Sequence, residues 1–153
     1  MTTWISLSVD ALQPLLSPAQ REAFLVRPNQ GSSSDPFIIA AQVATQRIRE
    51  AILNNPLNQL SENTEHLPPE HLQTAAILCL QSLESRLLGF TLTEKHDDLI
   101  DQALDRLIAI SRGDLPVSIP DNPRTTPFTS RSVGVALLSY RKKKIKSDEL
   151  SGL

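Results

Sequence analysis

Cysteine, glycine and aromatic residues are all scarce in this chain. The single cysteine, Cys79, excludes an intrachain disulfide, and a reducing compartment is the expected setting. Five glycines, none of them clustered, leave no material for a Gly-rich phosphate loop, and there is no Gly-x-Ser-x-Gly elbow. Aromatics make up only 4% of the residues, so a core must be built from Leu, Ile, Val and Ala. That favours helices over a β-sandwich, which leans on β-branched and aromatic side chains. The longest unbroken apolar run, Ala75 to Leu80, is far too short to cross a bilayer, so no membrane partner is expected. The first residues lack a basic stretch followed by an apolar run, so no secretory signal is expected.

Charge is present, and it is divided by position. Residues 124–153 carry seven Lys or Arg against two acids, and residues 1–123 carry eight against fifteen. The formal net charge of −2 is therefore −7 on the first part and +5 on the second. A compact acidic domain over 1–123 with an extended basic arm over 124–153 suggests a part that attaches to something, not a self-contained catalyst.

The apolar pattern of the first part is helical. After a short mixed start, with Val9, Leu12 and Leu15–Leu16 on a brief helix begun at Ser8, four main helices are expected near 17–26, 36–54, 69–88 and 93–112. Ser17-Pro18-Ala19-Gln20 supplies a capping hydroxyl, a proline at the first helical position and a Gln at the third. Asp35-Pro36 repeats that start signal. Ile38, Ala41, Thr45, Ile48 and Ile52 then recur at spacings of three and four, up to Asn54-Asn55-Pro56. Residues 57–67 read as a polar connection. Leu72, Ala75, Ala76, Cys79, Leu80, Leu83 and Leu87 form the widest stripe and mark the central helix, which Gly89 ends. Thr93 opens the last helix, with Ile100, Ala103, Leu104, Leu107 and Ile108 inward and Gly113 as its stop. Leu115, Val117 and Ile119 alternate with Pro116 and Ser118, as an extended strand or arm would. The expected fold is all-α: a small bundle of four main helices with an extended C-terminal arm.

Few residues offer chemistry. His66, His71 and His96 lack the three or four convergent ligands of a zinc site and read as solvated surface histidines. Cys79 sits in the apolar stripe with nothing basic a turn away, and reads as a small core residue. No catalytic, cofactor or metal constellation is evident, and no enzyme is expected. Glu94, Asp98, Asp101 and Asp105 lie three to four residues apart, so they share one helix face. They fit a solvated face, a partner for a basic arm, or a surface that faces DNA phosphates without binding them. Arg141-Lys142-Lys143-Lys144-Ile145-Lys146 follows the apolar stretch Val133–Tyr140. That pairing reads as a docking segment, with Leu137, Leu138 and Tyr140 as anchors and Arg131, Arg141, Lys142, Lys143 and Lys144 as the cations beside them.

Four stretches taken in order resemble a known family. They are Trp4-Ile5-Ser6-Leu7 with Leu12; Ile48-Arg49 with Ile52, Asn55 and Asn58-Gln59-Leu60; Leu67-Pro68-Pro69-Glu70-His71-Leu72, leading to Ser85-Arg86-Leu87-Leu88 and Leu92-Thr93; and Ala103, Leu107, Ile108 and Arg112-Gly113, followed by Val117 and Pro120. Over residues 4–120 this order is similar to the small head–tail connector, or head-completion adaptor, proteins of tailed bacteriophages. The resemblance implies an all-helical fold and a homo-oligomeric ring of roughly twelve copies. It places the ring in the virion neck between the portal protein and the tail terminator or another neck protein, after synthesis in the host cytoplasm. Genomic DNA passes through such a ring without sequence-specific binding.

A different class, a non-enzymatic DNA-binding or regulatory helical protein using a basic tail, competes with that reading. The long connections between helices depart from the three- or four-residue turn of a helix-turn-helix, and no expected helix of the acidic part has a basic face. The tail alone still suits non-specific binding to phosphates.

Overall fold

The computed structural model of the protein describes residues 1–125. Over these residues the fold is mainly helical, with one small antiparallel sheet. The order is β1 (Ile5–Ser6), α1 (Val9–Leu12) with a 3₁₀ turn after it, α2 (Pro18–Leu25), α3 (Pro36–Leu53), β2 (His66–Leu67), a 3₁₀ turn over Pro69–His71, α4 (Leu72–Glu84) and α5 (Glu94–Arg112). None of the described helices is long and apolar enough to cross a membrane.

Local chemistry accounts for the helix starts. At α2, the Ser17 amide donates to the Gln20 side chain at 2.9 Å and the Gln20 amide donates back to the Ser17 hydroxyl at 3.3 Å, with Pro18 at the first helical position. At α3, Asp35 accepts from the Phe37 amide at 2.9 Å. The Asp35 carboxylate also takes the guanidinium of Arg27 at 2.8 Å and the Gly31 amide at 2.9 Å. Burial alone would raise its pKa. The Arg27 hydrogen bond and the two amides outweigh that and hold it below the usual 3.8. Gly113 ends α5 in the left-handed conformation, φ 81°, and the Asp114 amide reaches back to the Ala109 carbonyl at 2.9 Å. A Cβ at Gly113 would come within 2.5 Å of the Asn55 side chain at the end of α3.

Helices α3, α4 and α5 pack against one another, and α1 lies on α4. Helix α4 is buried nearly all round: Ala75, Ala76, Ile77, Leu78, Cys79, Leu80 and Leu83 are core residues, as the wide stripe implies. Burial pushes the Cys79 thiol up to about 12, which fits a core residue and not a nucleophile.

Several expectations need correction. Helix α4 spans Leu72–Glu84, not 69–88, because a 3₁₀ turn precedes it and the chain bends after Ser85 toward Gly89, φ 77°. On α5 the inward residues are Ile100, Ala103, Leu104, Leu107 and Ile110; Ile108 is 42% exposed, since it lies about 100° around the helix from Leu107. Of the two readings of residues 115–119, strand or arm, the arm holds: they form no strand. The 57–67 connection contains β2, which pairs Leu67 with Ile5 and His66 with Ser6. Finally, His71 and His96 are not surface histidines: they are only 4% and 6% exposed.

Candidate functional site

Two features stand out: the outer face of α5, and the junction through which the chain leaves the described body.

Spacings of four, three and four place Glu94, Asp98, Asp101 and Asp105 along one stripe of α5. All four are exposed, and none is ion-paired with another described residue. The opposite stripe, Ile100, Ala103 and Ile110, is core. Helix α5 is thus anchored by its apolar face and presents these carboxylates along about 16 Å of its length. Glu94 and Asp97 also lie in its first turn, where the helix dipole favours negative charge.

The junction is built differently. After Gly113 the chain runs as a strap across the body. The strap has no helix or strand of its own, so its backbone groups need partners elsewhere. The Glu70 carboxylate supplies one, accepting from the Ser118 amide at 2.6 Å, and also accepts from the Ser118 hydroxyl at 3.2 Å. The buried Trp4 indole donates to the Ser118 carbonyl at 3.1 Å, and the Thr2 amide donates to the Ile119 carbonyl at 2.8 Å. Thr3 bonds Asp121 through its hydroxyl. Farther on, the Ser61 hydroxyl donates to the Asn122 side chain at 2.8 Å, the Glu62 amide to the Asn122 carbonyl at 2.9 Å, and the Arg124 amide to the Leu60 carbonyl at 2.8 Å. The N-terminus, the loop at 60–62 and the strap therefore form one hydrogen-bonded assembly.

Arg49 holds that assembly from inside the protein. Its guanidinium is buried and donates to the carbonyls of Ser61, Asn63 and His66 at 2.8–2.9 Å. It stands 6.0 Å from the centre of the Trp4 ring. Burial, and after it the charge of Arg124, lowers its pKa, yet a guanidinium stays charged at neutral pH.

His71 completes the junction. Its Nε2–H donates to the Pro116 carbonyl at 3.1 Å, which leaves Nδ1 as an acceptor. Neither Nδ1 nor the buried Thr74 hydroxyl has a hydrogen-bond partner among the described residues. Burial lowers the His71 pKa below 6.5; Glu70 and the Pro116 bond oppose this, and Arg106 adds to it. His96 has a structural role too. Its Nδ1 accepts from the Thr93 amide at 3.2 Å, and its Nε2–H donates to the Leu15 carbonyl at 2.8 Å, which ties the start of α5 to the turn after α1.

The expected docking residues Arg131, Leu137, Leu138, Tyr140, Arg141, Lys142, Lys143 and Lys144 lie outside the described residues, so they are not placed relative to α5. Reading the sequence missed the roles of Arg49, Glu70 and His71. All three fall inside the stretches that carry the family resemblance, which was the one available signal for them. Compared with protein-family models, curated proteins and solved structures, the chain matches none.

Proposed function

We propose that this chain is a structural head–tail connector, or adaptor, of a tailed phage, and not an enzyme. Copies assemble into a ring of roughly twelve between portal and tail. In this reading Glu94, Asp98, Asp101 and Asp105 face the channel. DNA phosphates and a wall of carboxylates repel over about a Debye length, near 8 Å at physiological salt, so the passing duplex finds no site at which to stick. The four main helices form the ring-building body. The basic arm, through Arg131, Leu137, Leu138, Tyr140 and Arg141–Lys144, docks on the portal or on an adjacent adaptor.

The unpaired acidic stripe of α5 carries this reading. A helix whose carboxylates find no cation among the described residues is suited to repel phosphates. A second support is where the resemblance falls. Trp4, Arg49, Glu70, His71 and Gly113 all sit at joints between segments of the fold, which are positions that packing alone does not dictate.

Light scattering of the full chain, alone and with its portal protein, tests the assembly. The expected ring accounts for roughly 200 kDa, twelve times the 16.9 kDa chain, either as a free particle or as mass added to the portal. A monomer under both conditions contradicts the proposal. A monomer that binds duplex DNA with an affinity falling steeply with salt favours instead the DNA-binding alternative.

A further inference from the structure

A groove of about 460 Å³ lies between α3, the residues after β1 and the loop before β2. Leu7, Phe37, Ile38 and Ala41 give it an apolar lining. Gln46 and Glu65 also line it, and Gln46 donates to the carboxylate of Glu50, one turn farther along α3, at 3.1 Å. It follows α3 for about 14 Å, from Phe37 to Gln46. Nothing among the described residues fills it.

We infer that this groove is the seat of the chain's own segment 137–146, held there by the free protein. Three observations converge on that occupant. The first is where the described chain ends. Arg124 is bonded to Leu60, and Leu60 is five residues from Glu65 on the groove wall. The second is length. Leu137 lies twelve residues beyond Thr125, a reach of up to about 40 Å, so the spacer covers the groove with chain to spare. The third is the match of pattern. Leu137, Leu138 and Tyr140 are followed at once by Arg141–Lys144, and the groove joins an apolar lining to the carboxylate of Glu65, with Glu50 beside it on Gln46. The anchors sit over Ile38 and Ala41, and the cations reach Glu65.

A tethered segment competes at an effective concentration in the millimolar range, so even a weak contact is populated. The seat does not depend on the ring reading, because a lone monomer carries both halves. If the ring reading also holds, the same anchors serve a partner, so docking on that partner requires release from the groove.

The test uses the full chain with a nitroxide attached at Ser139→Cys. Cys79 is 0% exposed with a thiol pushed up to about 12, so it stays unlabelled in the folded protein. Amide signals are followed by NMR in a dilute sample. The expected result is paramagnetic broadening strongest at Leu7, Ile38, Ala41, Gln46 and Glu65 and fading with distance from them. That broadening falls to background in Ala41→Arg, which fills the groove from a half-buried helical position, and in Leu137→Asp/Leu138→Asp, which leaves the described body untouched. A mixture of isotope-labelled chain without nitroxide and nitroxide chain without isotope separates the sources. Broadening of the groove only in that mixture assigns the seat to a second copy and overturns the inference. Broadening that is absent, spread over the surface or unchanged by both variants overturns it as well.

Discussion

The interior formed by α3, α4 and α5 and the strap over 115–124 are stabilised by different physics. The interior is held by apolar side chains on helix faces, where each contact is replaceable and the sum is large. The strap is held by single polar groups, each aimed at one backbone atom. An apolar interior loses stability in proportion to the atoms removed, whereas a polar junction loses it in steps, because each donor withdrawn strands a particular acceptor. The body is thus expected to keep its fold while the junction opens, and changes at the two regions should separate these behaviours.

The largest effect is expected in the interior. Leu80→Ala removes a side chain that is 1% exposed and should cost about 2–5 kcal/mol through lost burial and a residual cavity. Denaturant unfolding measures it, and loss should be global. Arg49→Met keeps most of the side-chain volume but strands the carbonyls of Ser61, Asn63 and His66. About 1.5–3 kcal/mol should be lost. Hydrogen exchange should then speed up at residues 60–66 and 115–124 far more than in α4. Equal acceleration in both would mean that the junction is not a separate unit.

How much of this was legible in the sequence follows the same division. The helix starts at Ser17-Pro18 and Asp35-Pro36, the stop at Gly113 and the burial of Leu80, Leu83 and Cys79 were readable, because capping and helical periodicity act over a few residues. The junction was not, because its partners are far apart: Trp4 and Ser118 are separated by 114 positions, Ser61 and Asn122 by 61, Glu70 and Ser118 by 48. No local pattern announces such a pair. His71 and His96 misled for the same reason. A histidine at a helix start looks solvated until the distant carbonyl that accepts from it is known, here Pro116 and Leu15. The acidic stripe of α5 was legible as a stripe. No cation pairs with it among the described residues, so what it faces is not written in the local pattern.

Smaller effects sharpen the comparison at its seam. Gly113→Ala places a Cβ in a left-handed residue and against Asn55, and should cost about 1–2 kcal/mol by thermal or urea unfolding. A pH series isolates His71. Burial holds its folded pKa below 6.5, the value of the unfolded chain, so between the two values the unfolded chain binds more protons. Its contribution is complete above pH 6.5 and is lost as pH falls through the folded value. His71→Gln should flatten that part of the stability curve and leave the steeper acid limb below pH 3.8, where Asp35 loses its pairing with Arg27. An unchanged slope just below pH 6.5 would remove His71 as its cause.

The proposed connector role is tested most directly by a cryo-EM density map of the chain assembled with its portal. The prediction is a closed ring in which α5 turns Glu94, Asp98, Asp101 and Asp105 toward the central channel, with Ile100, Ala103 and Ile110 still packed on α3 and α4. A ring whose α5 carboxylates point outward or are covered by a neighbouring subunit, or a chain that joins no ring at all, would contradict it.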